Sequence, residues 1–418
     1  MRRSKLFVKT RRENPTDEEA RNAQLLIRAG YIHKEMAGVY SYFTLGKIVI
    51  DKISQIIREE MDAIGGNEVL MSTLQNKELW QASGRWDDKQ VDNWFKSRLI
   101  SGVEVGLGFT HEEPLTSGLR NFVASYQDLP IYAYQIQTKF RNELRAKSGL
   151  LRGREFLMKD LYSYSRSEQE HKIFYEKSAE AYLKIYRRLG FDDGIIFRTF
   201  ASGGVFSKFS DEFQLVTPIG EDTIYIDREK NIAINKEVCT DEVLDSLGLN
   251  KTALEEVRAV EIGNIFTLGS KYSDAMGLFF TDKEGQKQSI VMGCYGIGVS
   301  RLMGLIAEHF ADDLGLVWPK SVSPYSVYLI SLGNAADVIE AADKIYKRLT
   351  DAGVGVIYDD RGGASAGEKL ADADLMGIPM RLVISQKTLQ ENVYEIKDRT
   401  SKEVKLVSES DLIATLEK

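Results

Sequence analysis

Apolar residues recur along the chain at two periods, and the changes of period mark its elements. From Lys47 to Ile64, residues Ile50, Ile53, Ile57, Met61 and Ile64 fall three or four apart. That spacing gives a helix with one buried stripe, and Gly65-Gly66 ends it. Glu168 to Leu189 repeats the pattern with Tyr175, Ala179, Tyr182, Ile185 and Tyr186, stopping at Gly190. A shorter helix is predicted from Thr16, whose Asp17, Glu18 and Glu19 would sit at the positive end of its dipole, to Gly30. Its apolar face is Ala23, Leu26, Ile27 and Gly30.

Between Tyr132 and Tyr164 the period drops to two, the mark of strands. One face of the outgoing strand carries Gln135, Gln137, Lys139, Arg141 and Glu143. The other carries Tyr134, Ile136, Thr138 and Phe140 and is predicted to be core. On the return, Arg152, Arg154, Phe156, Met158 and Asp160 alternate with Glu155, Leu157 and Lys159, beyond a basic loop containing glycine. Such a hairpin gathers arginines, carboxylates and one ring on a single surface. Two readings are open. The charges form cross-strand ion pairs on a solvated face, or Arg141, Arg152 and Arg154 fork onto the phosphates of a nucleotide whose base stacks on Phe156.

Further along, SIVMGC reads as a buried strand, and YGIGVSRLMGLIAEHF as a helix entered through Gly296 and Gly298 with Arg301 in its first turns. The stretch VWPKSVSPY, Val317 to Tyr325, holds two of the seven prolines and reads as a linker. Beyond it, strands at 326–331, 354–358 and 381–385 alternate with helices at 335–352 and 368–376, which predicts a small covered α/β sheet. Earlier, FTHEEP sets Thr110, Glu112 and Glu113 before a helix that Pro114 can open, an arrangement that simple capping also explains. Trp80 and Trp86 in LWQASGRW read as packing anchors.

With 418 residues, 43% of them hydrophobic and 28% charged, two domains are expected. The net charge of −7 argues against DNA binding or a nonspecific nucleic-acid coat, yet permits a local basic groove. Cys239 and Cys294, with His33, His111, His171 and His309, show no metal-ligand spacing. A reducing cytoplasm follows, with no membrane span. The first twelve residues hold six cations and no acid, which suits either a transit peptide or the start of the mature protein.

The string FRNE, a loop, and then Arg152, Phe156 and Asp160 resemble the second motif of class II aminoacyl-tRNA synthetases, and GCYGIGVSR resembles the third. Within that class YQIQTKFR, LMKDLYSY, THEE, GRW and MGCYGIGVSR are similar to bacterial-type prolyl-tRNA synthetases along nearly the whole chain. The resemblance implies an α+β catalytic domain, an antiparallel sheet flanked by helices, over residues 1–318. A smaller α/β anticodon-binding domain would follow over 322–418, with only a short connection at 219–258 where many relatives carry an editing insertion. It also implies ligation of L-proline to tRNA(Pro) through a prolyl-adenylate, with ATP and Mg2+, by a homodimer helped by a freestanding deacylase.

By the same resemblance Thr110, Glu112, Met158, Asp160 and Asp211 would meet proline, with Arg141 on its carboxylate or the α-phosphate. Arg141, Glu143, Arg152, Phe156 and Arg301 would hold ATP, and the catalytic charges would be Arg141, Arg152 and Arg301. Asp359, Asp360, Arg361 and Lys369 would line the anticodon surface, although a solvated turn accounts for them as well. The chain departs from the family's pattern at Ser72 and Phe109, where many relatives have proline, and at Asp211, where they have histidine. The rival readings are threonine specificity, which in that family commonly uses a zinc ion, and a catalytically silent tRNA-binding paralogue.

Overall fold

The computed structural model describes every residue except Arg145, Lys147, Val205, Lys208, Glu417 and Lys418. The chain forms two compact units: Met1–Ile53, Lys147–Arg152 and Met303–Lys418 in one, Ser54–Ala146 and Gly153–Leu302 in the other. Two of the basic-loop residues, Arg145 and Lys147, lie outside the described residues.

The second unit is built on one nine-stranded sheet. Its strands in chain order are β1 (Asn67–Glu68), β2 (Ile131–Phe140), β3 (Glu155–Ser165), β4 (Ile196–Ser202), β5 (Phe209–Val216), β6 (Asp222–Asp227), β7 (Ile232–Asn235), β8 (Glu255–Gly269) and β9 (Val291–Gly298). The spatial order is β5-β4-β7-β6-β8-β9-β3-β2-β1, and an extra β5–β8 pairing closes five of these strands into a ring. All neighbours are antiparallel except β1 with β2 and β4 with β7. The helix Glu168–Arg188 lies on one face of the sheet, burying Ala179, Tyr182, Ile185 and Tyr186 as its spacing predicted. Gly263 permits that approach, because a Cβ there would stand 2.4 Å from the Tyr186 hydroxyl.

Four expectations change. In β2 the polar face is the more deeply buried: Gln135, Gln137 and Lys139 are buried, whereas Ile136, Thr138 and Phe140 are half-exposed. Alternation identified the two faces correctly but could not say which one the rest of the unit covers. The 219–258 stretch is no mere connection, since it supplies β6, β7 and their own apolar cluster around Ile234, Leu244 and Leu249. The strand β9 runs on through Gly296 to Gly298, so the helix starts only at Val299. The first helix starts at Arg21 rather than after Thr16. Glu18 lies ahead of the helix, its carboxylate accepting from the Ala20 N–H (3.1 Å) and the Tyr40 hydroxyl (2.7 Å) and pairing with the Lys34 ammonium (3.2 Å).

In the first unit the predicted alternation after residue 325 holds: β10 (Val327–Ser331), β11 (Val356–Asp359), β12 (Met380–Ile384), β13 (Tyr394–Asp398) and β14 (Lys405–Val407) order as β11-β10-β12-β13-β14. The helices Ala336–Asp351 and Ala366–Met376 fall where the sequence placed them. The proline-containing stretch before them is packed rather than loose. Trp318 is buried, its indole N–H donating to the Tyr31 hydroxyl at 2.9 Å and its backbone N–H to the Gly377 carbonyl.

Candidate active site

Antiparallel registers set Gln135, Asp160, Gly296, Asn264 and Glu212 in one row across β2, β3, β9, β8 and β5. Side chains in such a row share a face. Beside them Gln137 stands opposite Met158, which faces Gly298, and Lys139 stands opposite Phe156. The hairpin therefore brings Phe156, Met158 and Asp160 together as alternation predicted.

Asp160 anchors the floor of this face. Lys139 lies 2.7 Å from its Oδ1, and the Tyr162 hydroxyl (2.8 Å) and Gln135 side chain (2.9 Å) donate to Oδ2. Burial works to raise the Asp160 carboxyl, but Lys139 and the other donors hold it below its usual range. Burial draws the Lys139 ammonium below its own. The Lys139 Nζ also reaches His111 Nδ1 at 3.0 Å, and His111 Nε2 lies 3.0 Å from the Ser72 carbonyl. A proton on Nε2 with a bare Nδ1 is the neutral tautomer these partners select. Ser72 thus contributes through its backbone, and its departure from proline leaves this contact in place.

Burial, aided by the Lys139 charge, pushes His111 down to about 4, and burial alone does the same to His171. Both folded values lie below the unfolded value of about 6.5. Their stabilisation is therefore complete above that pH and lost as the pH falls through 4. Each can contribute about 3 kcal/mol. The urea midpoint is expected to drop between pH 7 and pH 4.5, and His171→Gln should flatten that dependence; an unchanged slope would refute the assignment.

At the start of the helix Glu112–Leu119, Thr110, Glu112 and Glu113 are all buried. The Thr110 hydroxyl donates to the Glu112 carboxylate at 2.8 Å. Arg85 Nη1 reaches Glu112 at 3.1 Å and Glu113 at 3.2 Å, while its guanidinium lies over the Trp80, Phe206 and Tyr272 rings. Burial, then the Glu112 and Asp160 charges, pushes the Cys294 thiol well up. Burial, then the Glu112 charge, raises the Glu113 carboxyl against the pull of Arg85. Two buried carboxylates thus share one guanidinium. Arg85 escaped the sequence reading except as a letter in GRW; nothing in the string shows that it folds against the Trp80, Phe206 and Tyr272 rings to meet THEE.

Arg141 follows β2 and is wedged between two rings, its guanidinium 4.9 Å from the Phe109 centroid and 5.4 Å from that of Phe156. Its buried Nε has no hydrogen-bond partner among the described residues. Burial lowers its pKa, assisted by the like charge of Arg301 and opposed by Glu261, Glu143 and Glu112. Phe109 is therefore one wall of the Arg141 slot. Arg301 Nη1 donates to the Glu261 carbonyl at 2.7 Å and lies 3.2 Å from its carboxylate. Burial and the Glu261 charge push neighbouring Glu212 up to about 8. Glu143 is half-buried, with its N–H on the Arg141 carbonyl.

Three candidates sit otherwise than expected. Asp211 lies one residue off the site row, on the face of the long helix, with Arg198 at 2.6 Å and the Tyr175 hydroxyl at 2.8 Å. In the SDEF string, Glu212 is the residue that reaches the site face, because successive strand residues alternate. Arg152 precedes β3 by three residues, is exposed, and belongs to the first unit, so the strand alternation does not reach it. Arg154 is turned inward to the Glu143 carbonyl, Nε to O 3.0 Å.

In the C-terminal sheet the quartet is satisfied within itself. Arg361 grips Asp359 (2.6 and 2.8 Å) and Asp372 (2.8 Å), and buried Lys369 donates to the Ser331 carbonyl at 2.8 Å. Asp360 accepts from Ser4 N–H and Oγ at 2.8 and 2.7 Å. A merely solvated turn is thereby excluded for Asp359 and Lys369.

Residues 94–310 match the tRNA synthetase class II core domain (G, H, P, S and T), and residues 326–418 the anticodon binding domain. The chain is 39% identical over 417 residues to the proline–tRNA ligase of Wolbachia sp. subsp. Drosophila simulans, covering 97% of each. It is 37% identical to that of Rhizorhabdus wittichii, covering all of both chains. Against the Geobacillus kaustophilus enzyme, 32% identical, the alignment extends over 565 residues and covers 99% of each chain, so that relative carries a large stretch this chain lacks. Among solved structures, prolyl-tRNA synthetase from Cryptosporidium parvum complexed with halofuginone and AMPPNP shares the fold, with TM-score 0.77 at 16% identity over 94% of this chain and 75% of that one.

Proposed function

The chain belongs to the proline–tRNA ligase family of class II aminoacyl-tRNA synthetases, and on that premise we propose that it joins L-proline to tRNA(Pro) by way of a prolyl-adenylate made from ATP. The proline carboxylate attacks the α-phosphate and expels pyrophosphate; the terminal ribose of the tRNA then takes the prolyl group and releases AMP. No protein nucleophile takes part. Placement and charge do the catalysis.

One observation carries this reading. Among the described residues the carboxylates of Glu112 and Glu113 share the buried Arg85, while the buried Arg141 Nε has no acceptor. An amino-acid zwitterion fits both ends, its ammonium at Glu112 and its carboxylate at Arg141. Thr110 holds the Glu112 carboxylate in place, Met158 and Asp160 border the ring of proline, and Asp211 is left with a role in packing. Phe156 offers a stacking face to adenine, with Glu143 on the amino group of the base or steadying Arg141. Arg301 reaches the γ-phosphate.

Glu261 and Glu212 fit Mg2+ as hard oxygen donors, and a divalent cation would offset the burial and, after it, the Glu261 charge that push the Glu212 carboxyl up to about 8. Phosphates and water would complete the shell of such an ion. When bound, Mg2+ supplies charge neutralisation on the phosphates. Residues 1–318 and 322–418 act as the catalytic and anticodon-binding domains of a cytoplasmic homodimer. No helix among the described residues is long and apolar enough to cross a membrane. A separate deacylase clears alanine errors, since a pocket rejects a smaller side chain by only about 1–3 kcal/mol.

ATP–pyrophosphate exchange across the twenty amino acids tests the proposal. Proline should be the best substrate, and Glu112→Gln should raise the proline KM by roughly tenfold or more while leaving that for ATP within about twofold. Exchange with threonine alone, or with no amino acid, would sink it.

A further inference from the structure

The first twelve residues carry Arg2, Arg3, Lys5, Lys9, Arg11 and Arg12 and no acid, in a chain of net charge −7. Two of these cations fix the arm. The Arg2 guanidinium lies over the Tyr346 and Tyr358 rings (5.3 and 5.1 Å) and pairs with Asp343 at 2.9 Å, and Arg2 bridges to Tyr358 in parallel along β11. Arg3 is buried, with Nη1 on the Val8 carbonyl at 2.7 Å. Ser4 on Asp360 and Thr10 on Asp372 (2.7 Å) add two more anchors. Val8 packs over Gly30, where a Cβ would meet Cγ1 at 2.8 Å.

The other four cations are exposed, and they follow a pattern. Leu6 is buried and Val8 half-buried, so the alternate positions Lys5, Phe7 and Lys9 point outward, Phe7 with 73% exposure. The Phe7 ring meets Phe43 edge-on at 5.4 Å, and Phe43 stacks with exposed His33 at 6.0 Å. Arg11, Arg12, Asn14 and one acid, Glu13, help line an adjoining open hollow of about 400 Å³. An exposed aromatic ladder flanked by cations is a stacking platform for an unpaired base with phosphates on either side. In the anticodon quartet, by contrast, Arg361 and Lys369 have partners within the sheet and Asp360 holds Ser4, next to the exposed Lys5 of the arm.

We infer that the arm from Lys5 to Arg12 is a second RNA-binding element, contacting the tRNA backbone through Lys5, Lys9, Arg11 and Arg12 and one unpaired base through Phe7. This rests on the reading of the chain as one that engages tRNA, and it extends the RNA surface of the C-terminal sheet to the arm tied at Asp360. Filter binding of an in vitro transcribed proline tRNA to the full chain between 50 and 300 mM salt tests it, beside proline-dependent exchange without tRNA. The quadruple variant Lys5→Ala, Lys9→Ala, Arg11→Ala, Arg12→Ala should raise Kd about 10- to 100-fold at about 100 mM salt and flatten the salt slope by about 3. Phe7→Ala should raise Kd about tenfold and Phe7→Trp should not. The charge-retaining Lys5→Arg, Lys9→Arg, Arg11→Lys, Arg12→Lys should bind as wild type, and all variants should keep wild-type exchange and melting temperature. An unchanged Kd and slope in the alanine quadruple, or an equal loss in the charge-retaining one, would overturn the inference. Absence of exchange with proline in the wild type would instead strike the ligase reading.

Discussion

Arg141→Ala is expected to cut proline-dependent ATP–pyrophosphate exchange by roughly three orders of magnitude, the size of effect seen when a preorganised donor to developing charge is removed. The guanidinium lies against the Phe109 and Phe156 rings, and its buried Nε has no partner among the described residues. A lysine there keeps a charge but loses the planar group that fits between two rings, so Arg141→Lys should recover little. Because the residue is half-buried and makes no ion pair among the described residues, the melting temperature should move by only a few degrees. The loss should appear in kcat more than in the KM for ATP. Exchange within tenfold of wild type would show that the charge at this position does not act on the reacting phosphate.

The largest effect on stability is expected at Lys139. Both partners of the Lys139–Asp160 pair are buried, so Lys139→Met leaves a carboxylate in the interior with only neutral donors. Breaking such a pair costs about 3–5 kcal/mol. The double variant Lys139→Met, Asp160→Asn removes the stranded charge and should regain at least about 1–2 kcal/mol of that loss, a non-additivity that urea unfolding reads directly. In Lys139→Met the His111 imidazole should also titrate higher, as it loses a cation 3.0 Å away. Simple additivity of the two substitutions would mean that the pair does not hold the floor of the site.

Legibility in the sequence followed the range of the interactions involved. The helix stripe at Ile50, Ile53, Ile57 and Met61 was readable because burial there depends on spacing within one turn or two. Alternation likewise put Phe156, Met158 and Asp160 on one face. It could not place Arg152, since a 3-10 turn and a new strand start intervene. Motif strings located THEE, FRNE and GCYGIGVSR, yet assigned Asp211 to the pocket where parity puts Glu212.

The sequence alone determined the long helices, the central hairpin with its two families of side chains, the alternating elements after residue 325, and the family itself, because all of these are written in local spacing and in strings of residues. The tertiary structure decided which strand face is covered, how Arg85 reaches Glu112 and Glu113, why Ser72 serves through its carbonyl, and which rings enclose Arg141. The physical reason is that burial and charge compensation depend on partners brought in from distant segments. A polar residue such as Lys139 reads as solvated until the fold sets a carboxylate against it and takes the water away.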